Sequence, residues 1–182
     1  ALPIEVKWAG PLRVVPGKIS KTLDRQHYRA MLTEQVKVTQ ADIELATADV
    51  LELAFSVDDK DKPAAGRERP VVVSLTGAPT IVKMQGMQAR AAVVSFDTAD
   101  GSATLRSSPE FPQIGLQDAA GRTMFARQVD YDPAKGTATL AGPAKFEIRL
   151  PPDAADKNEA RTLVADASKQ CVIVFDPSQK EP

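Results

Sequence analysis

The chain has 182 residues, of which 43% are hydrophobic and 26% are charged, and its formal net charge at pH 7 is −1. A chain of this size can bury one sizeable core, so we expect a single domain over residues 1–182. The near-neutral charge and the low aromatic content give no support to nucleic-acid binding, and the apolar runs are too short to cross a bilayer.

The N-terminal half alternates between apolar and polar residues, which is typical of strands with one buried face. The alternation predicts an amphipathic strand over 4–14, and Pro11 favours an edge position for it. Two further strand candidates lie between Tyr28 and Thr39. Asp42–Val57 is predicted as a strand, although Ala, Leu and Glu are good helix formers and leave a helix over Ala41–Leu53 as the alternative.

The middle of the chain begins with a change of composition. Residues 58–70 carry mixed charge and are predicted to form a solvated loop insertion. Val71–Met84 is predicted as the strand that returns from it.

A repeat follows, and it is the strongest signal in the sequence. Asp97-Thr-Ala-Asp-Gly101-Ser-Ala-Thr-Leu105 matches Asp132-Pro-Ala-Lys-Gly136-Thr-Ala-Thr-Leu140 position by position. Asp starts a turn and Gly supplies a left-handed backbone position, so each copy predicts a hairpin. The two hairpins are expected over Met87–Leu105 and Thr123–Leu150, the second with Ala138, Leu140, Gly142, Ala144, Phe146, Ile148 and Leu150 on one face.

Partial copies of the repeat occur elsewhere. Leu75-Thr-Gly77-Ala-Pro79 and Trp8-Ala-Gly10-Pro11 echo Leu140-Ala-Gly142-Pro143. Val174-Phe-Asp176-Pro resembles the start of another turn, so both ends look like cut repeats and we expect a fragment of a longer chain. Internal repetition of this kind predicts a stacked or rolled array of β-hairpins.

The C-terminal part adds connectors and two strands. Ser107–Gly115 is predicted as an extended connector, Gln117–Arg122 as a turn, and Pro151–Arg161 as a polar linker. Thr162–Phe175 is predicted to hold the last two strands. No segment requires a long helix, so the predicted fold class is all-β.

No catalytic or metal-binding motif is present in the sequence. His27 is the single histidine and lacks the further ligands that a zinc site needs. Asp58, Asp97, Asp132 and Asp176 stand at predicted turns, where Asp is favoured for backbone reasons. Cys171 lies in a β-rich run and is predicted to be a buried structural thiol. We therefore predict no catalytic residue, no metal, no cofactor and no enzymatic activity.

The repeat resembles the OstA-like domain of lipopolysaccharide transport proteins of the LptA and LptC type. The best copy runs from Ala126-Arg-Gln-Val129-Asp-Tyr131-Asp132 to Leu140-Ala-Gly142-Pro-Ala144-Lys-Phe146, and Val36–Leu51 is similar to the family's opening unit. The glycine that often precedes that unit's first valine is replaced here by Thr33-Glu-Gln. The resemblance covers residues 36–150, with echoes at both ends.

The resemblance implies a twisted, partly open β-jellyroll of the periplasm or cell envelope, which functions in outer membrane biogenesis. Its apolar trough would bind the acyl chains of a lipopolysaccharide or lipid A-like glycolipid, and like domains would pair edge to edge. The site residues would be the inward-facing ones: Leu51, Leu53, Phe55, Leu75, Ile81, Val94, Phe96, Leu105, Val129, Tyr131, Leu140, Phe146 and Ile148.

Two alternatives remain open from the sequence. The same inward-facing residues are the predicted core, so the small residues among them could leave room for methylene chains or could let two sheets pack closely. The alternative function is a structural or scaffold β-repeat domain of an envelope or secreted protein, without a ligand.

Overall fold

The protein is described by a computed structural model that covers residues 4–16, 25–40, 43–58, 71–84, 87–118, 121–149 and 162–174. These ranges form an all-β fold of fourteen strands in one large antiparallel sheet, and they contain no helix. A helix that could cross a bilayer is accordingly not found in the described ranges.

The strands differ widely in length, and four long ones dominate the first half. Their bounds are β1 Ile4–Lys7, β2 Leu12–Pro16, β3 Arg25–Gln40, β4 Ile43–Asp58, β5 Val71–Met84, β6 Met87–Asp97, β7 Ala103–Arg106, β8 Ile114–Gln117, β9 Thr123–Ala126, β10 Gln128–Asp132, β11 Thr137–Ala141, β12 Ala144–Arg149, β13 Thr162–Ala167 and β14 Gln170–Val174.

Within the described ranges the sheet is open. Its main path runs β1-β3-β4-β5-β6-β7-β10-β11-β14. The strand β2 pairs with the same side of β3 as β1, farther along that strand. The strands β8, β9, β12 and β13 form a second branch from β6. One edge of the sheet is therefore formed by β1 and β2. At the other edge, the main path ends with β14 and the branch ends with β13.

The branching divides the sheet into two arms that share the four long strands. Arm one comprises β2, the 25–33 part of β3, the 50–58 part of β4, the 71–76 part of β5, the 93–97 part of β6, and β7, β10, β11 and β14. Arm two comprises β1, the remaining parts of β3 to β6, and β8, β9, β12 and β13. We call the line where the arms meet the crease.

Irregular backbone marks the crease in the long strands. Register shifts interrupt β3 between Thr33 and Val36, β4 between Thr47 and Val50, and β5 between Thr76 and Thr80. The first of these places Glu34 and Gln35 at positive φ, 67° and 51°. Because a bulge bends its strand and increases the local twist, these shifts redirect the long strands from one arm to the other.

The Gly-Pro echoes of the repeat fall on the same line. Gly10 and Pro11 lie between β1 and β2, Gly77 and Pro79 lie in the register shift of β5, and Gly142 and Pro143 lie between β11 and β12. Gly142 has a φ of 84°, and its amide donates to the Lys169 carbonyl oxygen at 2.9 Å. The Asp and Gly residues of the repeat therefore predict the hairpin turns, and the separate Gly-Pro step of the repeat lies at the crease.

The hairpin turns of both full copies are confirmed. Gly101 and Gly136 have positive φ, 74° and 59°. Asp97 Oδ1 accepts the Ala99 amide at 2.8 Å, and Asp132 Oδ1 accepts the Lys135 amide at 3.1 Å. The hydrogen bond from Lys135 Nζ to Asp132 Oδ2, at 2.7 Å, holds the pKa of the Asp132 carboxyl below its usual range.

Several predicted strands are confirmed, and the helix alternative is wrong. Val71–Met84 is a strand with the predicted bounds, and 162–174 contains two strands. Residues 41–53 are not helical, since β4 runs from Ile43 to Asp58. The predicted loop over 58–70 and linker over Pro151–Arg161 lie outside the described residues, apart from Asp58, which ends β4.

Other predicted bounds need correction. The predicted strand over 4–14 is two strands, because the chain bends at Ala9 and Gly10, whose amides donate to Glu34 and Thr33 carbonyls at 2.9 Å, before it continues along β3. The two candidates between Tyr28 and Thr39 are one bulged strand. The end of the predicted connector Ser107–Gly115 belongs to β8, a strand that the sequence analysis missed.

A single apolar core lies along the crease and contains side chains from both arms. Side chains on one face of a sheet lose nearly all solvent contact only when another layer covers them, so the inner faces of the arms pack against each other here. The largest fully buried side chains are Leu51, Ile114, Leu140 and Val36, together with the single buried polar residue among the described residues, Thr80.

Candidate functional site

The inner face of arm one is built from rows of side chains that cross the strands. The row nearest the crease, which we call the first row, consists of directly paired residues that face the same way. It contains Leu32, Leu51, Leu75, Val94, Leu105, Val129 and Leu140. Every member is buried, from 0% exposure at Leu140 to 8% at Leu105.

The next row out, the second row of arm one, is equally apolar but less buried. It contains Ala30, Leu53, Val73, Phe96, Ala103, Tyr131 and Ala138. Leu53, Val73, Phe96, Ala103 and Tyr131 are half-buried. Farther out, Tyr28 and Phe55 stack with ring centroids 5.8 Å apart and are also half-buried.

Arm two shows the same gradient with smaller side chains. Near the crease, Ala48, Thr80, Ala91, Ile114, Ala126 and Ala144 are buried. The row outside them contains Val6, Val38, Ala46, Val82, Ala89, Leu116 and Met124. Within it, Val6, Val38, Val82, Ala89 and Met124 are half-buried. On both inner faces the half-buried residues thus lie in the row farther from the crease, which also contains the buried Ala30, Ala138, Ala46 and Leu116.

Together the second rows of the two arms form a candidate apolar site, which we call the trough. Its half-buried members are Leu53, Val73, Phe96, Ala103 and Tyr131 on arm one and Val6, Val38, Val82, Ala89 and Met124 on arm two. Tyr131 is its one titratable side chain. The described groups whose pKa departs from its ordinary value lie elsewhere, on the surface: Glu44, Asp100, Asp132 and Lys135.

The structure divides the predicted site residues between core and trough. Six belong to the buried first row of arm one: Leu51, Leu75, Val94, Leu105, Val129 and Leu140. Leu53, Phe96 and Tyr131 belong to the trough, and Phe55 lies beyond it against Tyr28. Phe146 pairs through its backbone with Met124, and Ile148 pairs with Leu163, but the side chains of Phe146 and Ile148 lie outside the described residues.

Ile81 departs from the prediction that it faces inward. Its neighbours Thr80 and Val82 point into the core, and Ile81 pairs instead with the exposed Arg90 on the outer face. The reason is that the alternation of β5 is reset within its register shift: inward positions are odd before it, at Val73 and Leu75, and even after it, at Thr80 and Val82.

The sequence analysis missed much of arm two's contribution. Val38, Val82 and Met124 line the trough. Ile114 and Leu116 belong to the apolar core, and both come from the four-residue strand β8. Alternation at Ile114 and Leu116 is a usable signal, although the prolines that precede it favour a connector. Cys171 is half-buried at the end of the first row, opposite Leu140, rather than fully buried.

The arrangement offers apolar contact and little chemistry. In the described part of the chain, no group of His, Cys, Asp and Glu side chains is placed to hold a metal ion. Comparison of the chain with protein-family models, with curated proteins and with solved structures found no match. The fold and the site thus define an open all-β protein with an apolar inner face.

Proposed function

We propose that the chain is a non-enzymatic module of the bacterial cell envelope that binds a lipopolysaccharide-type glycolipid through its acyl chains. The observation that carries the proposal is the gradient on the inner faces, which are buried at the crease and half-buried but still apolar in the trough. Half-buried apolar rows retain surface that a methylene chain can cover, at about 0.8 kcal/mol per buried CH₂.

The size of this effect is sufficient for useful affinity. A Kd of 1 μM corresponds to about −8 kcal/mol, or roughly ten buried methylenes before the cost of association is subtracted. One acyl chain of ordinary length therefore supplies the energy without a charged or catalytic group. An elongated trough that crosses many strands fits a chain better than a compact ligand.

The resemblance to the OstA-like domain supports the same proposal. A bent open sheet with two arms is compatible with an OstA-like β-jellyroll, and the Gly-Pro echoes lie where the arms meet. Under this proposal the module works in the periplasm, in outer membrane biogenesis. The two edges that stay unpaired within the described ranges, at β1 and β2 and at β13 and β14, pair with like domains under this proposal.

The alternative is a scaffold domain whose interior is fully packed, and one substitution separates the two functions. Ala103 lies in the second row between Phe96 and Tyr131. If the trough is open, Ala103→Phe fills it, leaves the melting temperature nearly unchanged and weakens glycolipid binding at least about tenfold. If the interior is packed, the added ring costs about 1–3 kcal/mol of stability.

The experiment measures binding of purified lipid A and of a fluorescent fatty acid, together with thermal unfolding. Thr139→Phe is the matched control, because Thr139 lies on the opposite face of the same arm, beside the inward-facing Ala138 and Leu140. It should leave binding unchanged. Absence of lipid binding by the unaltered protein, combined with a destabilised Ala103→Phe variant, would favour the scaffold.

A further inference from the structure

The free edge of β1 has a self-complementary sequence. One side of β1 pairs with β3, and in the described part of the chain no strand pairs with its other side. Its alternate residues are apolar: Val6 is half-buried, whereas Ile4 is 62% exposed and the adjacent Trp8 is 42% exposed. An exposed strand edge with apolar side chains is a site for pairing with another chain.

The polar face of β1 carries one charge of each sign. Glu5 lies opposite Thr39, whereas Lys7 lies directly opposite Lys37, a like charge. Lys37 has its own carboxylate in Glu44, at 3.6 Å, which it shares with Lys83. Among the described residues, Lys7 has no such carboxylate, so a negative charge on its free side would be favourable.

We propose that two copies of this chain associate through antiparallel pairing of their β1 strands about a two-fold axis at Val6. This register places Val6 opposite Val6 of the second copy, and Glu5 opposite Lys7 of the second copy, twice. If the pairing continues one residue beyond Lys7, Ile4 lies opposite Trp8 of the second copy. Every exposed side chain of β1 thereby gains a partner of matching chemistry.

The edges at β2 and β14 do not offer this match. A two-fold pairing of β2 about Val14 would place Arg13 opposite Val15 and Leu12 opposite Pro16, and proline donates no backbone hydrogen bond. In β14, the outward-facing Gln170 and Val172 carry no charge that would select a register. Pairing of β1 with β14 would be head-to-tail and would continue into a filament, whereas the two-fold contact stops at a dimer.

This inference specifies the edge pairing that forms part of the proposed function, and it does not depend on what the trough binds. The test is a charge-swap series measured by analytical ultracentrifugation over a range of concentrations. Glu5→Lys and Lys7→Glu each turn two attractive pairs into repulsive ones and should weaken the dimer at least about tenfold. The double variant E5K/K7E recreates both pairs across the two-fold axis and should restore the dimer.

Two controls carry the same charge changes far from β1. Glu110→Lys and Lys169→Glu alter exposed residues, in the segment before β8 and between β13 and β14, and should leave the dimer unchanged. Circular dichroism verifies the fold of each variant. Since the altered side chains are exposed, the variants should retain the β-sheet spectrum.

Three outcomes would overturn the inference. If E5K/K7E is as weak as the single variants, the two-fold register is wrong. The second outcome is an assembly larger than a dimer in which Trp8 of one copy transfers energy to an acceptor on Cys171 of a Trp8→Phe copy. The pairing is then head-to-tail, so the two-fold register is wrong, although edge pairing in general still holds. If the unaltered protein stays monomeric at all concentrations, edge pairing fails as well, while lipid binding is judged separately.

Discussion

At the scale of single residues, burial separates side chains that hold the fold from those that line the trough. Leu140 is completely buried and is paired with Val129 and Cys171 in the first row. Tyr131 lies on the same face, one row farther out, and keeps part of its surface. Substitutions in the first row should therefore act on stability, and substitutions in the second row on binding.

We expect Leu140→Ala to lower the free energy of unfolding by about 2–5 kcal/mol, because it removes buried methyl groups and leaves a cavity. Val172→Ala is the control, since Val172 lies on the outer face of the same arm and is 54% exposed; it should change stability by less than about 0.5 kcal/mol. Urea denaturation measures both. Equal effects of the two substitutions would contradict the assignment of Leu140 to the core.

At the scale of elements, the crease depends on a few backbone positions. The corner between β11 and β12 needs Gly142, whose φ of 84° is rarely adopted by other residues and against which the Arg127 side chain packs. A methyl group at Gly142 would lie 3.0 Å from the Arg127 Cβ atom. Gly121 has a similar φ, 77°, but open space around it.

These two glycines allow the backbone and packing effects to be measured separately. Gly121→Ala should cost about 1–2 kcal/mol from the positive φ alone. Gly142→Ala should cost about 1 kcal/mol more, because the Arg127 side chain must also move. The comparison uses urea denaturation of both variants. A Gly142→Ala variant no less stable than Gly121→Ala would show that the corner tolerates a side chain.

At the scale of the whole molecule, the arms are coupled by a shared core and by four strands that run through both. Neither arm has an inner layer of its own, because each covers the other along the crease. The described part of the protein should therefore unfold as one unit.

Two single residues report on opposite ends of the sheet. Trp8, the only tryptophan, lies beside the β1 edge, and Cys171, the only cysteine, lies in β14 at the other end. We expect the urea midpoints from Trp8 fluorescence and from Cys171 thiol labelling to coincide. Measurements in dilute protein keep association out of the comparison. Two clearly separated midpoints would mean that the ends of the sheet unfold independently.

The strand pattern was largely predictable from local sequence because alternation and turn chemistry act over a few residues. Asp132 and Gly136, with Asp97 and Gly101, predicted both hairpin turns. The alternation after Gly136 predicted that Ala138, Leu140 and Ala144 face one way, and all three are buried. The all-β class followed from the same signals.

The register shifts and the division between core and trough were not predictable in this way. Ile81 faces outward because the inward positions of β5 change from odd to even within its register shift, and that shift is defined only against the partner strand β6. Leu51 and Leu53 have the same side chain on the same face, yet one is buried and the other half-buried. Their difference depends on distance from a crease that no single strand contains.

The amino-acid sequence by itself determined that this chain forms repeated antiparallel hairpins with one apolar face, because turn residues and period-two alternation are local properties. Only the tertiary structure decided where the long strands bend, which residues the opposite arm covers and which edges stay unpaired. Those features arise from contacts between segments far apart in the chain, so the sequence supplies the apolar face and the fold decides how much of it remains open.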